Sequence, residues 1–319
     1  MEVKRNKAFS IALEKQLLVF TGKGGVGKTA VSAASCLAAA RTGKRTLLVE
    51  IRSPRRIPPM FGITPSNDGP LELRPGITWI NLTPEIALQT YAMRKLKLRS
   101  VYRAVFEQRM VRRFLRAVPS LAEILILGHL THLIENSDYD LTVLDAPSTG
   151  PGAQMLEAPR AVTESVSKGP LYDGAAWIQA LLSDPSRTMI NLVVLPEELP
   201  VTEAIDLFHK VRDVLNLPLG FSIANRTLID PFPSVTNADF ERVADFKLGR
   251  PLVQAALLFR SRLRLQEVYL DRLRAGVDLP VMILPEISKS SADLTVIDSL
   301  AVLMTNHFTN SSNELPQAG

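Results

Sequence analysis

Residues 22–29 read Gly-Lys-Gly-Gly-Val-Gly-Lys-Thr. They stand between an apolar run, Leu17-Leu18-Val19-Phe20-Thr21, and a small-residue stretch with helical spacing that reaches Arg41. A glycine-rich turn leading from a strand directly into a helix constrains the fold more than any other feature of this chain. Glycine at 22, 24, 25 and 27 permits backbone angles that leave several N–H groups pointing into one cavity. The helix that follows adds the positive end of its dipole to that cavity. A strand, a tight turn and a helix in this order open a βαβ unit.

The rest of the chain keeps the alternation. Nearly continuous apolar runs recur at residues 16–21, 45–51, 77–82, 141–144, 189–195, 219–224 and 281–284, and stretches with helical spacing lie between them, as at 30–41, 201–215 and 260–274. Strands without polar alternation are strands buried on both faces, so the expectation is an α/β fold with a doubly wound, mostly parallel sheet. With 319 residues, no internal repeat and no Gly/Ser-rich linker, residues 1–309 read as a single domain built round that glycine turn. Its main elaboration is a helical stretch at 86–136, and the polar residues 310–319 read as a disordered tail.

Composition narrows the class. With 46% hydrophobic and 22% charged residues, the chain has ample material for a core. No apolar run approaches the ~20 residues of a membrane-spanning helix, and residues 1–15 hold no apolar core of a signal peptide. The lone cysteine, Cys36, excludes an internal disulfide and a multi-cysteine zinc site. A cytoplasmic protein is expected, with peripheral membrane contact left open.

The loop chemistry points to ATP. The backbone of Gly22, Lys23, Gly24, Gly25, Val26, Gly27, Lys28, Thr29 and Ala30 is expected to cradle the phosphates. Lys28 reaches the β- and γ-phosphates, and the Thr29 hydroxyl is placed to ligate Mg²⁺. Lys23, directly after the first glycine, is a second lysine that an ordinary phosphate loop does not need.

That lysine makes the loop resemble the deviant P-loop ATPases, which dimerise face to face. Within them the chain resembles the family of the arsenite-pump ATPase and the tail-anchored-protein targeting ATPase, from Leu17 to about Ser288. Three further segments carry the likeness: Tyr139-Asp140-Leu141-Thr142-Val143-Leu144-Asp145-Ala146-Pro147-Ser148-Thr149-Gly150 with Pro159, the run from Leu195 to Glu203, and Asn225-Arg226. The resemblance implies that Lys23 contacts phosphates held by the opposite subunit and that Asp145 orients Mg²⁺ through water. It also implies that the Thr149-Gly150 turn senses the γ-phosphate, that Asn225 reads adenine, and that Pro285 borders the base. Asp140 is expected at the strand's start, away from the phosphates.

The chain departs from the family at three places. The aspartate that activates water in the family's switch I falls on Arg52; Glu50 takes its role as a catalytic residue beside Lys23 and Lys28, or the loop is shifted. The zinc-binding cysteine pair and the metalloid thiolates are missing, so no zinc is expected and any dimer rests on other contacts. Residues 160–187 are short and lack methionine, so an apolar groove is expected to come largely from 86–136.

Two weaker patterns remain. Residues 94–116 hold nine basic side chains and one acid, suited to an anionic membrane or nucleic acid, or to a solvated face over a buried stripe. His129, His132 and Glu135 stand three residues apart, a spacing that zinc can use but that is more often coincidental. The expectation is an ATP-binding switch ATPase, a homodimer or a heterodimer with a related ATPase, controlling a protein client or membrane protein. A hydrolysis-poor regulatory subunit and a DNA-binding partitioning ATPase are the alternatives, with nucleic acid the less favoured partner.

Overall fold

The computed structural model describes residues 8–96, 120–246, 249–287 and 293–306. Most of the basic run 94–116 and the polar tail 310–319 lie outside these residues, and so does the centre of the 86–136 elaboration.

Eight strands form one sheet: β1 (Leu17–Thr21), β2 (Thr46–Ile51), β3 (Leu71–Arg74), β4 (Ile77–Leu82), β5 (Leu141–Asp145), β6 (Thr188–Val194), β7 (Leu219–Thr227) and β8 (Val281–Pro285). Their spatial order is β3-β4-β2-β5-β1-β6-β7-β8. Every neighbouring pair is parallel except β3 and β4. The α/β, mostly parallel expectation holds. Strand β3 is an addition: four residues, Leu-Glu-Leu-Arg, carry too little pattern to be read alone and become a strand by pairing with β4 across a turn at Gly76.

The helices are α1 (Ala8–Leu13), α2 (Lys28–Arg41), α3 (Ile57–Met60), α4 (Pro84–Leu96), α5 (Leu121–Asn136), α6 (Thr149–Ser165), α7 (Pro170–Ser183), α8 (Glu198–His209), α9 (Asn237–Ala244), α10 (Gly249–Gly276) and α11 (Leu294–Asn306). A π-helical turn, Lys210–Val214, extends α8.

Successive side chains of a strand point to opposite faces, and the sheet has a core on each. Leu18, Phe20, Leu48, Leu141 and Val143 meet α2, α3 and α11; Leu17, Val19, Leu47, Val49 and Leu144 meet α5, α6, α7 and α8. Helix α2 lies close to the sheet because its buried side chains are small: Ala33, Ala34, Ser35, Cys36, Ala38 and Ala39. Burial pushes the Cys36 thiol far above its ordinary range, so it is a packing residue and not a thiolate. Central β1 is flanked by β5, which reaches it from one half of the sheet, and β6, which starts the other. The crevice at the carboxyl ends of strands around such a reversal is where ligands bind in this architecture.

Candidate functional site

The glycine turn after β1 has the conformation its sequence demands. Gly22 sits at φ +145°, and a Cβ there would come within 2.2 Å of the Val193 carbonyl oxygen on β6. Gly27 precedes α2 at φ +91°, and a Cβ would come within 2.3 Å of Asn225 Nδ2. No side chain caps α2, so its first N–H groups face the loop. Gly24, expected to need special angles, does not adopt positive φ and has open space where a Cβ would go. Val26 turns its side chain into the core and leaves only its backbone at the loop.

Lys28 lies along this turn, its Nζ donating to the carbonyls of Gly22 at 2.9 Å and Lys23 at 2.8 Å. Burial lowers its pKa, Asp145 raises it and Arg56 lowers it. The Thr29 hydroxyl donates to Asp145 Oδ2 at 2.7 Å, across 116 residues of chain. Asp145 ends β5 with its carboxyl pushed up to about 6, chiefly by burial, with the Thr29 hydrogen bond acting against that rise. Its Oδ1 is buried without a hydrogen-bond partner among the described residues, and so is Thr21 Oγ1 at the end of β1. A hydroxyl and a buried carboxylate with one unspent oxygen are donors that a hard cation takes, so Thr29 and Asp145 fit Mg²⁺.

Residues 15–172, which include the turn, Lys28, Thr29 and Asp145, match the anion-transporting ATPase family. The chain belongs to that family, the family of the arsenite-pump ATPases. It is 29% identical over 257 residues to ATPase BagA of Mycobacterium tuberculosis, covering 76% of this chain and 73% of that protein. To the arsenical pump-driving ATPase of Escherichia coli it is 28% identical over 238 residues, 66% of this chain and 39% of the relative. To that of Acidiphilium multivorum it is 27% identical over 224 residues, 62% of this chain and 37% of the relative. ATPases of this family bind ATP and Mg²⁺ in general. No helix among the described residues is long and apolar enough to cross a membrane.

The loop after β2 departs from the expectation. Glu50, expected as a stand-in for the water-activating carboxylate, is a structural anchor instead. It is 1% exposed, and both of its oxygens are occupied. Oε1 accepts from Ser53 Oγ and the Arg56 N–H; Oε2 accepts from the Ile57 N–H at 3.2 Å and from Trp79 Nε1 at 2.7 Å. Four donors fill the lone-pair sites of its two oxygens and leave none aimed at a water molecule. Arg52 is paired elsewhere, its Nη2 at 3.1 Å from Glu123 Oε1 on α5. Arg52 and Arg55 both adopt positive φ, +49° and +60°. Such angles cost non-glycine residues of order 1–3 kcal/mol and persist where surroundings enforce them. Here Asp68 does so, gripping Arg55 at 2.8 and 3.2 Å while accepting from Asn81.

Lys23 is tied within its own chain: Nζ lies 2.7 Å from Glu203 Oε1 on α8. Glu203 Oε2 in turn accepts from Thr149 Oγ1 at 3.4 Å, and Thr149 is the first residue of α6 and not a turn residue. Asn225 is 3% exposed, and its amide donates to the Val26 carbonyl at 2.9 Å. In this conformation it braces the phosphate loop. Pro285 closes β8 beside Thr227, two residues along β7 from Asn225. Ala30 sits in the first turn of α2. Asp140 accepts from the Arg45 N–H at the opposite end of β5 from Asp145, as expected.

The remaining expectations fall away from this site. Glu135 accepts from Trp177 Nε1 at 2.9 Å and pairs with Arg187 at 3.0 Å, and no metal-binding cluster forms among the described residues. An apolar cavity of about 670 Å³ lies between α4, α5 and α7. Most of its lining comes from α4 and α5, within 86–136 as expected, and Pro170, Leu171, Trp177 and Ile178 add a wall from the 160–187 segment. Arg56 and the bracing role of Asn225 were missed because both depend on which strands end side by side.

Proposed function

We propose that this chain is an ATP-binding switch ATPase in which nucleotide state controls self-association and a protein or membrane partner, with slow hydrolysis by the chain alone. The Thr29–Asp145 hydrogen bond at 2.7 Å, beside Lys28 folded over the glycine turn, carries the reading. Lys28 and the N–H groups of the turn would hold phosphates, and Thr29 and Asp145 would hold Mg²⁺, which supplies charge neutralisation at the phosphates. Asn225 would brace the phosphate loop from β7, with Pro285 near it at the end of β8. The chain from Lys23 through Glu203 to Thr149 supports a switch, because a change at the phosphate loop reaches α6 and α8 through two polar contacts.

Slow turnover follows from the loop after β2. Its carboxylate, Glu50, is consumed by four donors, and an arginine cannot accept a proton from water. The apolar cavity beside α4 and α5 supports a hydrophobic segment as the partner's contact. Calorimetric titration of ATP with Mg²⁺, alongside phosphate release by the same sample, tests the proposal. Binding with little release is expected, and Lys28→Ala should abolish the binding while the fold survives. No ATP binding by the wild-type protein would overturn the reading. Release that appears only when a related ATPase is added would make the chain a regulatory subunit.

A further inference from the structure

Three arginines crowd the loop after β2, and the fold disposes of two. Arg52 is paired with Glu123 at 3.1 Å and Arg55 with Asp68 at 2.8 Å. Arg56 is exposed, and among the described residues its guanidinium has no carboxylate partner. Its starting point is nevertheless fixed. The Arg56 N–H donates to Glu50 Oε1 at 3.1 Å, and Glu50 stands opposite Asp145 in the β2–β5 register. Arg56 also opens the short helix α3, which packs on α2, and α2 begins with Lys28. The side chain therefore sets out beside Glu50, the strand neighbour of Asp145, on a helix that packs against the one Lys28 begins.

We propose that Arg56 binds the terminal phosphoryl group of the nucleotide and is the residue by which this chain tells a nucleoside triphosphate from a diphosphate. The inference rests on the reading of residues 22–29 as the ATP site. The Arg56 guanidinium stands within electrostatic range of both Lys28 and Asp145. Lys28 and Arg56 stand beside two carboxylates, Asp145 and Glu50, and of the two cations Arg56 is the exposed one that an incoming anion meets. A planar guanidinium offers paired N–H donors that match phosphoryl oxygens, and its exposure keeps it free to turn toward a ligand. Glu50 then has a purpose other than proton transfer: it is a positioning residue whose hydrogen bonds set the base of Arg56.

Calorimetric titrations of ATP and ADP, each with Mg²⁺, into wild type, Arg56→Ala, Arg56→Lys and Arg52→Ala test this. Arg56→Ala should weaken ATP about tenfold or more and leave ADP within about twofold, as expected for loss of a charge-assisted contact to one phosphate. Arg56→Lys, which keeps the charge and loses the fork, should fall between. Arg52→Ala should bind both nucleotides as wild type does. Equal loss of ATP and ADP in Arg56→Ala, or no loss of either, would overturn the assignment while leaving the ATP site intact. A wild type that binds neither nucleotide would overturn the ATP site itself, and this inference with it.

Discussion

Lys23 Nζ lies 2.7 Å from Glu203 Oε1, so the lysine that marks the deviant phosphate loop is neutralised by a carboxylate of its own chain. Both side chains are about one-third exposed, so the pair is weak enough to exchange for a phosphate. Glu203 also receives the Thr149 hydroxyl at 3.4 Å, which joins the release of Lys23 to α6. Glu203→Gln should free Lys23 and shift ATP-dependent self-association to lower protein concentration. Sedimentation with a non-hydrolysable ATP analogue measures it. A monomer at every concentration, in mutant and wild type alike, would contradict a role for Lys23 across an interface.

Glu50→Gln separates an anchor from a base. The amide keeps one acceptor oxygen but turns an NH₂ group toward two of the four donors. Leaving buried donors unsatisfied costs about 1–3 kcal/mol each. The expected result is a clear drop in melting temperature and a disordered loop after β2. Unchanged melting with abolished phosphate release would restore Glu50 as the catalytic carboxylate.

The Asp145 carboxyl gives a pH signature in the absence of nucleotide and metal. Its folded pKa is about 6 against an ordinary 3.8, so the folded state holds the proton more tightly than the unfolded chain. Stability is therefore greatest below about pH 4 on this account, falls as pH rises toward 6, and stays low above it. Asp145→Asn, which cannot ionise and still accepts from Thr29, should be more stable than wild type above pH 6, by up to about 3 kcal/mol. The advantage should vanish near pH 4. Thermal melts in chelator across pH 4–8 read the effect, and a pH-independent difference would refute it. Mg²⁺ with ATP should stabilise the wild type and not Asp145→Asn.

Asn225→Ala should weaken ATP and GTP to a similar degree. The Asn225 amide holds the Val26 carbonyl at 2.9 Å and sits against Gly27, so its loss loosens the phosphate loop whatever base is attached. Competition binding of the two nucleotides checks this. A selective loss of ATP would show that the side chain leaves the loop to read adenine.

Residues 17–41 alone determined the strand, the turn, the helix and the phosphate-facing lysine, because those rest on backbone angles and spacings within a few residues. The alternation of buried apolar runs with helical stretches determined the parallel sheet for the same local reason. Strand β3 was out of reach, since four residues with mixed burial become a strand only by pairing with β4. So was the fate of Glu50: one acidic residue at a strand end reads as a base or as an anchor, and only the arrival of Trp79 from β4 decides. The sequence also set Arg52 at the switch position by counting from β2. The fold turned it to Glu123, 71 residues away, and left Arg56 beside Lys28 and Asp145. Which charge meets which is fixed by strand order and register, which join β2, β5 and β1 at their carboxyl ends, and neither quantity is written in any single segment of the chain.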